Sequence, residues 1–386
     1  MLRFLNKAMI KDNKSILFVV NTPNFFLSHR LPLAVAAKEA GFNVHVATKN
    51  GSEISQITKH GLAHHIIPFD RSGHNVFSDL TTLKSLIKLF RDIRPNLVHL
   101  VTIKPVIYGG IAARIVGIQS VVAAISGLGT AFIDISFYGS IRRLLIQKLY
   151  KEAFKHDRLV VIFQNQDDRK MFTTKNLVNY KYCRIIRGSG VKLSDYPFTP
   201  EPNSTPIVVM AARLLKDKGI FEFIQSAKIL KGKGVKVIFR LIGESDFDNR
   251  SGITKTTLNK WEVDGFVELL GYRNDIANQY AKANIICLPS YREGLPKSLI
   301  EAAACGRATI TTDVPGCRDA ITPGVTGLLC AVKDSNALAN AIEKLVKNAN
   351  KRKKMGKAGR ELAEKEFAIE RIVDEHMDIY QELINL

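Results

Sequence analysis

The chain lacks the features that would mark a membrane-spanning, disulfide-stapled or zinc-binding protein. No apolar run approaches the roughly 18–20 residues that a transmembrane helix needs. The five cysteines (Cys183, Cys287, Cys305, Cys317 and Cys330) form no C-x-x-C pair, so neither a disulfide framework nor a zinc site is visible. They mostly lie in or beside apolar segments, which leads us to expect buried, reduced thiols. Met1 to Asn13 contains Leu2, Phe4 and Leu5 but is too short and interrupted for a signal peptide's apolar region. A cytoplasmic protein is expected, soluble or lying on a membrane without crossing it. Internal repeats and low-complexity stretches are missing too, apart from the basic run Lys351 to Lys354, read as a solvated helix end.

Acidic residues are in deficit. The 386 residues hold 36 Asp and Glu against 56 Lys and Arg, a formal charge of +20. Such a balance suits nucleic acid, an anionic membrane or a polyphosphate ligand. Nucleic acid is the poorest fit, because no helix-turn-helix, zinc finger or aromatic RNA-binding motif occurs and the cations are spread along the chain. A hydrophobic content of 46% with 24% charged residues is that of a globular protein. The length favours two domains, each able to bury a full core.

Strand and helix signals alternate throughout. In the first half, apolar strand candidates are Ile16–Val20, Val44–Ala47, His65–Ile67, Leu97–Leu100, Val121–Ile125, Leu159–Phe163 and Arg184–Ile186. Helical patterns lie between them, among them Phe26–Ala40, Leu80–Ile93 and Val106–Val116. The second half offers Ile207–Ala211, Lys236–Ile242, Val267–Leu270, Ile285–Leu288 and Ala308–Thr311. Strands separated by helices make βαβ units and a parallel sheet. Tyr196 to Pro206 holds four prolines with Asn203, Ser204 and Thr205, a break in composition that reads as a linker.

The most informative stretch runs from Pro289 to Gly306. A buried strand ends at Pro289, a loop follows, Pro296 stands where a helix can begin, and Gly306 stops it. Glu293 falls in the loop and Glu301 about a turn into the helix, so both can look into a crevice at the carboxyl end of a strand. Amides near Gly294 and Leu295 would hold an anion at the helix start, and the deeper carboxylate suits a hydroxyl donor such as a ribose diol. This is the layout of a nucleotide pocket.

The Glu-x7-Glu spacing, with Glu-Gly-Leu-Pro at its first glutamate and Glu-Ala-Ala-Ala-Cys-Gly from its second, resembles the signature of glycosyltransferase family 4. The resemblance is strongest from Ile207 to Leu329 and continues more weakly from Ser15 to Val191. It implies the GT-B fold: two Rossmann-like, doubly wound parallel-sheet domains across a cleft, with the last helix crossing back to the first. The expected boundaries are 1–195 with the helix 368–386 for an acceptor-binding domain, and 206–367 for the nucleotide-sugar domain.

The segment Arg213-Leu-Leu-Lys-Asp-Lys218-Gly219 resembles the family's Arg-x4-Lys-Gly, which makes Arg213 and Lys218 diphosphate ligands. Their charges would replace a metal ion in stabilising the leaving nucleotide. The family then implies that Glu293 orients the donor sugar and Glu301 the ribose. It also implies a backbone approach at Gly243 and a weaker base-side contact at Tyr272. Asp246-Phe-Asp248 is formally an Asp-x-Asp, but that spacing is frequent in loops and the family needs no metal here. No metal or other cofactor is expected.

In the first domain, His29 and Arg30 follow the first strand in a Phe-x-x-His-Arg stretch similar to one found in relatives that build bacterial surface polysaccharides. They are read either as acceptor-side residues or as a helix cap and packing. Ser126-Gly127-Leu128-Gly129-Thr130 follows the fifth strand, where many relatives place a histidine beside the sugar. Backbone contact by Ser126 and Gly127 would survive that change and a histidine role would not. Phe137 to Arg158 interleaves Arg142, Arg143, Lys148 and Lys151 with apolar residues at helical spacing. One reading lays this helix in an anionic interface; the other packs its apolar stripe on the sheet.

The resemblance as a whole implies a retaining transferase. It would move a hexose or N-acetylhexosamine from a UDP-sugar to a polyprenyl-diphosphate-linked saccharide, for an O-antigen, capsule or other glycan, on the cytoplasmic face of the inner membrane. The alternatives are a GT-B sugar-nucleotide 2-epimerase, which would need no acceptor, and a non-catalytic protein that binds membrane or nucleic acid.

Overall fold

The computed structural model describes residues 14–70, 76–128, 137–246, 249 and 251–385. The chain divides into two compact units, residues 1–186 with 372–386, and residues 187–371.

The first unit holds seven parallel strands: β1 (Ser15–Val20), β2 (Asn43–Thr48), β3 (Ala63–Ile66), β4 (Leu97–Val101), β5 (Ser120–Ile125), β6 (Arg158–Phe163) and β7 (Cys183–Ile185). Their order across the sheet is β3-β2-β1-β4-β5-β6-β7. Every residue of β1, β4 and β5 is buried, which is why these strands read as unbroken apolar runs rather than alternating ones. The second unit holds β8 (Ile207–Ala211), β9 (Ile238–Ile242), β10 (Glu268–Gly271), β11 (Ile285–Leu288), β12 (Ala308–Thr312) and β13 (Gly327–Cys330), ordered β10-β9-β8-β11-β12-β13. In each sheet the chain steps outward from its first strand and then returns to the other side. That creates a topological switch point between β1 and β4 and another between β8 and β11.

Several expectations need correcting. The helix read over Phe26–Ala40 is two helices, Pro23–His29 and Leu31–Glu39. The ladder breaks at Arg30 (φ −131°, ψ −13°) because Pro32 has no N–H to return to the preceding turn. The basic helix is shorter than its charge pattern suggested, Phe137–Ala153, and Arg158 opens β6 instead. Strand β13 went unread: four residues beginning with glycine carry little period of their own, and the strand exists through its parallel pairing with β12.

The domain boundary also moves, to just after Ile186. The proline-rich segment belongs to the second unit, because its carbonyls serve as acceptors for a buried cation. Arg307, 1% exposed, donates to Thr199 O at 2.8 Å, and to Tyr280 O at 2.9 Å and Ala281 O at 2.8 Å. Arg352 and Glu201 form a two-bond ion pair at 3.0 and 3.1 Å beside it. The final helix, Ile369–Asn385, buries Ile372, Val373, His376, Met377, Tyr380 and Leu383, a stripe at helical period, and residues 372–386 group with the first unit. Among the described residues no helix is long and apolar enough to cross a membrane.

Candidate active site

The second sheet's switch point assembles the site from the loops that leave β8 and β11. After β8 the chain makes a short 3-10 turn, Lys216–Lys218, and enters the helix Ile220–Gly232 through Gly219. Gly219 has φ +77°, and a Cβ there would lie 2.0 Å from Pro289 O, so only glycine allows the two loops to close on each other. Further bonds stitch the same contact: Ser290 Oγ donates to Asp217 O at 3.1 Å and Tyr291 N to Asp217 O at 2.8 Å.

This closure delivers Lys218 to Glu293. The ammonium lies 2.5 Å from Glu293 Oε1, with the two side chains only 14% and 15% exposed. Glu293 N donates to Pro315 O at 3.1 Å, which anchors the glutamate's loop to the one that leaves β12. A cation and an anion from residues 75 apart in sequence thus form one half-buried pair at the ligand-binding end of a parallel sheet.

Arg213 stands apart from that pair. Its side chain is 59% exposed, and Nη1 lies 3.9 Å from Asp246 Oδ2. The Asp246 carboxylate therefore already faces a guanidinium; its Asp-x-Asp partner Asp248 lies outside the described residues. Gly243, at φ +138°, sits where a Cβ would be 1.9 Å from Ala212 O. Its special conformation serves the packing of the β8 and β9 loops against each other. Tyr272 follows β10 and is largely exposed.

The helix bearing Glu301 spans Lys297–Ala304, with Pro296 as its cap rather than its first residue. Leu295 is buried in the unit's core and Gly294 is buried beside it. Glu301 is more enclosed than the sequence suggested, at 8% exposure. Burial pushes its carboxyl above the usual range, while the Lys297 ammonium, 3.6 Å from Oε1, and the Tyr196 hydroxyl work in the other direction. Tyr196 Oη donates to Oε1 at 2.6 Å. Sequence reasoning missed Tyr196, whose only local context is the proline-rich segment. It also passed over Ser290 and Tyr291, though both stand in the quoted motif as polar residues at a strand end.

In the first unit the two neighbours His29 and Arg30 part company. His29 is half-buried, its ring stacked on Phe25 with centroids 4.1 Å apart, and Nδ1 is 2.7 Å from Ser28 Oγ. Arg30 lies inside the unit, 3% exposed, donating to His29 O at 2.9 Å while its Nε meets no acceptor among the described residues. Desolvation brings the guanidinium down to about 10. Its surroundings include His99 of β4 and His376 and Tyr380 of the last helix, so Arg30 is an internal cation and not a surface ligand. Ser126, just past β5, has a buried Oγ with no partner among the described residues, and Gly127 follows at φ +107°. Gly129 and Thr130 lie outside the described residues.

The basic helix divides its side chains between two environments. Tyr150 and Ala153 are buried, and Ile146 and Leu149 pack against the first unit's core. Leu144 and Leu145 are 69% and 58% exposed, alongside exposed Lys148 and Lys151; Arg142 and Arg143 are half-buried.

Two doubly wound parallel sheets, the second with a Lys–Glu pair at its switch point, are those of the GT-B fold. Family models agree: that of the group 1 glycosyl transferases matches residues 195–362, and a glycosyl transferase 4-like model matches residues 15–165. The chain belongs to the group 1 glycosyl transferases. It is 31% identical over 353 residues to the N,N'-diacetylbacillosaminyl-diphospho-undecaprenol alpha-1,3-N-acetylgalactosaminyltransferase of Campylobacter jejuni, covering 86% of this chain and 91% of that one. It is 27% identical to the capsular polysaccharide biosynthesis glycosyltransferase CapM of Staphylococcus aureus, over 89% of this chain and 90% of the relative. In fold it is similar to Anabaena HepE, solved in complex with UDP and glucose, with a TM-score of 0.76 at 16% identity over 95% of this chain and 99% of that one.

Proposed function

We propose that this glycosyltransferase is a retaining, family 4 enzyme that transfers a hexose or N-acetylhexosamine from a UDP-sugar to a polyprenyl-diphosphate-linked saccharide. The observation that carries the reading is the Lys218–Glu293 pair at the β8–β11 switch point. An ammonium has three donors, so Lys218 can keep Glu293 and still donate to the donor's diphosphate. Arg213 supplies a second cation from the same loop. Glu293, held by Lys218 and by its own amide, orients the sugar, and Glu301 accepts from the ribose. The bond between the anomeric carbon and the diphosphate oxygen breaks while the acceptor oxygen bonds to that carbon on the same face. The departing phosphate oxygen takes the hydroxyl proton. Charge on that oxygen is what Lys218 and Arg213 stabilise, so no metal is required in this scheme.

The acceptor class is supported by the diphospho-undecaprenol in the name of the Campylobacter relative, and the UDP by the ligand of HepE. We assign acceptor recognition to the first unit, with Ser126 and Gly127 as sugar contacts and His29 as a weaker candidate. Exposed Leu144 and Leu145 beside Lys148 and Lys151 support a peripheral place on the anionic cytoplasmic face of the inner membrane. The test is incubation with a panel of UDP-sugars and a short-chain prenyl-diphosphate saccharide, following UDP release and product mass. A glycosylated acceptor with the donor's anomeric configuration is the expected result. Epimerised donor without an acceptor, or no binding of any nucleotide sugar, would overturn the reading.

A further inference from the structure

Glu301 is buried, at 8% exposure, and its two oxygens are not equivalently held. The Tyr196 hydroxyl at 2.6 Å and the Lys297 ammonium at 3.6 Å both fall on Oε1. Tyr196 is held firmly. Its ring packs against both hydrophobic clusters of the second unit, and its carbonyl accepts from Arg360 Nη1 at 2.8 Å. The same nitrogen donates at 2.8 Å to Ala304 O, at the end of the helix that bears Glu301. One guanidinium therefore locks the backbone of Tyr196 to the helix whose glutamate its side chain grips.

We propose that Tyr196 is a positioning residue for nucleotide binding: by occupying Oε1 it fixes the Glu301 carboxylate so that Oε2 accepts from the ribose hydroxyls. The proposal rests on the assignment of Glu301 to the ribose. A phenol suits the task better than a second cation, because it holds the carboxylate by a directional bond without neutralising it. A hydrogen bond to a charged acceptor is also about twice as strong as a neutral one. Among the described residues, the other ionisable groups near this carboxylate are Tyr280, fully buried with no partner for its hydroxyl there, and the Cys305 thiol, which burial pushes up to about 12. Both are neutral at ordinary pH, so Tyr196 and Lys297 alone favour the ionised carboxylate.

The experiment measures UDP affinity by calorimetry between about pH 5 and 8, a range wide enough to catch a raised carboxyl, for wild type, Tyr196→Phe, Glu301→Gln and the double variant. Thermal unfolding is recorded for each. Tyr196→Phe should weaken UDP binding about tenfold, the low end for a bond to a charged group. It should also move the acid limb of binding to higher pH, because the carboxylate has lost a donor. In the Glu301→Gln background only the limb of UDP's own terminal phosphate, which titrates near about pH 6, should remain, and Tyr196→Phe should change nothing further. If Glu301→Gln weakens UDP binding while Tyr196→Phe keeps both the affinity and the limb of wild type, the positioning role is refuted and the ribose assignment stands. If Glu301→Gln binds UDP as wild type does, or wild type binds none, the ribose assignment falls and takes the proposal with it. A lowered melting temperature in Tyr196→Phe with unchanged affinity and limb would mark a purely structural residue.

Discussion

Acid should unfold the first unit well before it disturbs the second, and two buried histidines set the size of the effect. His99 stacks on Phe18 with centroids 5.2 Å apart and shares a hydrogen bond with the Tyr380 hydroxyl. His376 bonds Ile372 O at 2.7 Å through Nδ1. Burial first, and then the nearby Arg30 guanidinium, holds the His376 imidazole down to about 3, and the same two causes press His99 in the same direction. The unfolded chain takes up these protons near about pH 6.5, whereas the native fold refuses them. Each histidine's contribution is therefore complete above about pH 6.5 and is lost as pH falls toward the folded value, by about 1.4 kcal/mol per pH unit. At pH 5 that amounts to about 2 kcal/mol for His376, and His99 adds to the loss in the same direction. For a unit of this size each kcal/mol moves the transition by about 2–4 °C, so the His376 share alone should lower the first unit's melting by about 4–8 °C at pH 5 relative to pH 7.5. Scanning calorimetry at the two pH values measures it, with the second unit's transition as an internal reference. His376→Gln keeps a side-chain donor and does not titrate, so it should remove that histidine's own share, about 2 kcal/mol of the acid loss at pH 5. If this variant and wild type lose equal stability on acidification, the histidine account is wrong.

Other expectations bear on catalysis and location. Lys218→Ala and Arg213→Ala should each lower turnover by about 10²–10³-fold at saturating donor, the scale for removing one charge-stabilising group, and near wild-type turnover in both would sink the diphosphate clamp. Glu293→Gln should impair transfer while leaving free UDP affinity largely intact, because its proposed partner is the sugar; equal loss of UDP affinity in Glu293→Gln and Glu301→Gln would refute that division. Activity should survive chelator treatment and the substitution Asp246→Ala; loss restored by manganese or magnesium would return the Asp-x-Asp to the mechanism. Vesicles of anionic lipid should sediment the protein and release it at raised salt, since charges are screened beyond about 10 Å at 0.1 M. Replacing Arg142, Arg143, Lys148 and Lys151 by Gln should weaken that binding without changing UDP affinity, and equal sedimentation of the variant would leave the helix as core packing.

Local information was enough for the elements and for one motif. The apolar runs of β1, β4, β5 and β11 announced a doubly wound parallel sheet, because strands buried on both faces have no polar alternation to confuse the reading. The strand–loop–helix from Pro289 to Gly306 was legible for the same reason: its turn residues, its helix cap and its two glutamates all lie within one short stretch. The last helix, expected from the family resemblance, carries a stripe at helical period. Interactions between distant segments were decided only by the fold. Lys218 and Glu293 were each identified, but their pairing depends on Gly219 allowing two loops to touch across the switch point. Arg30 looked, with His29, like an acceptor-side residue because the Phe-x-x-His-Arg stretch resembles one in relatives. A break before Pro32 and the packing of the final helix turned it inward among His99, His376 and Tyr380. Tyr196 and the proline-rich segment resembled a linker because prolines carry no period. Their carbonyls and one phenol became structure only when Arg307, Arg360 and Glu301 arrived from about a hundred residues or more further along the chain. A hydrogen bond between such distant groups leaves no periodicity behind, so only the tertiary structure could have located them.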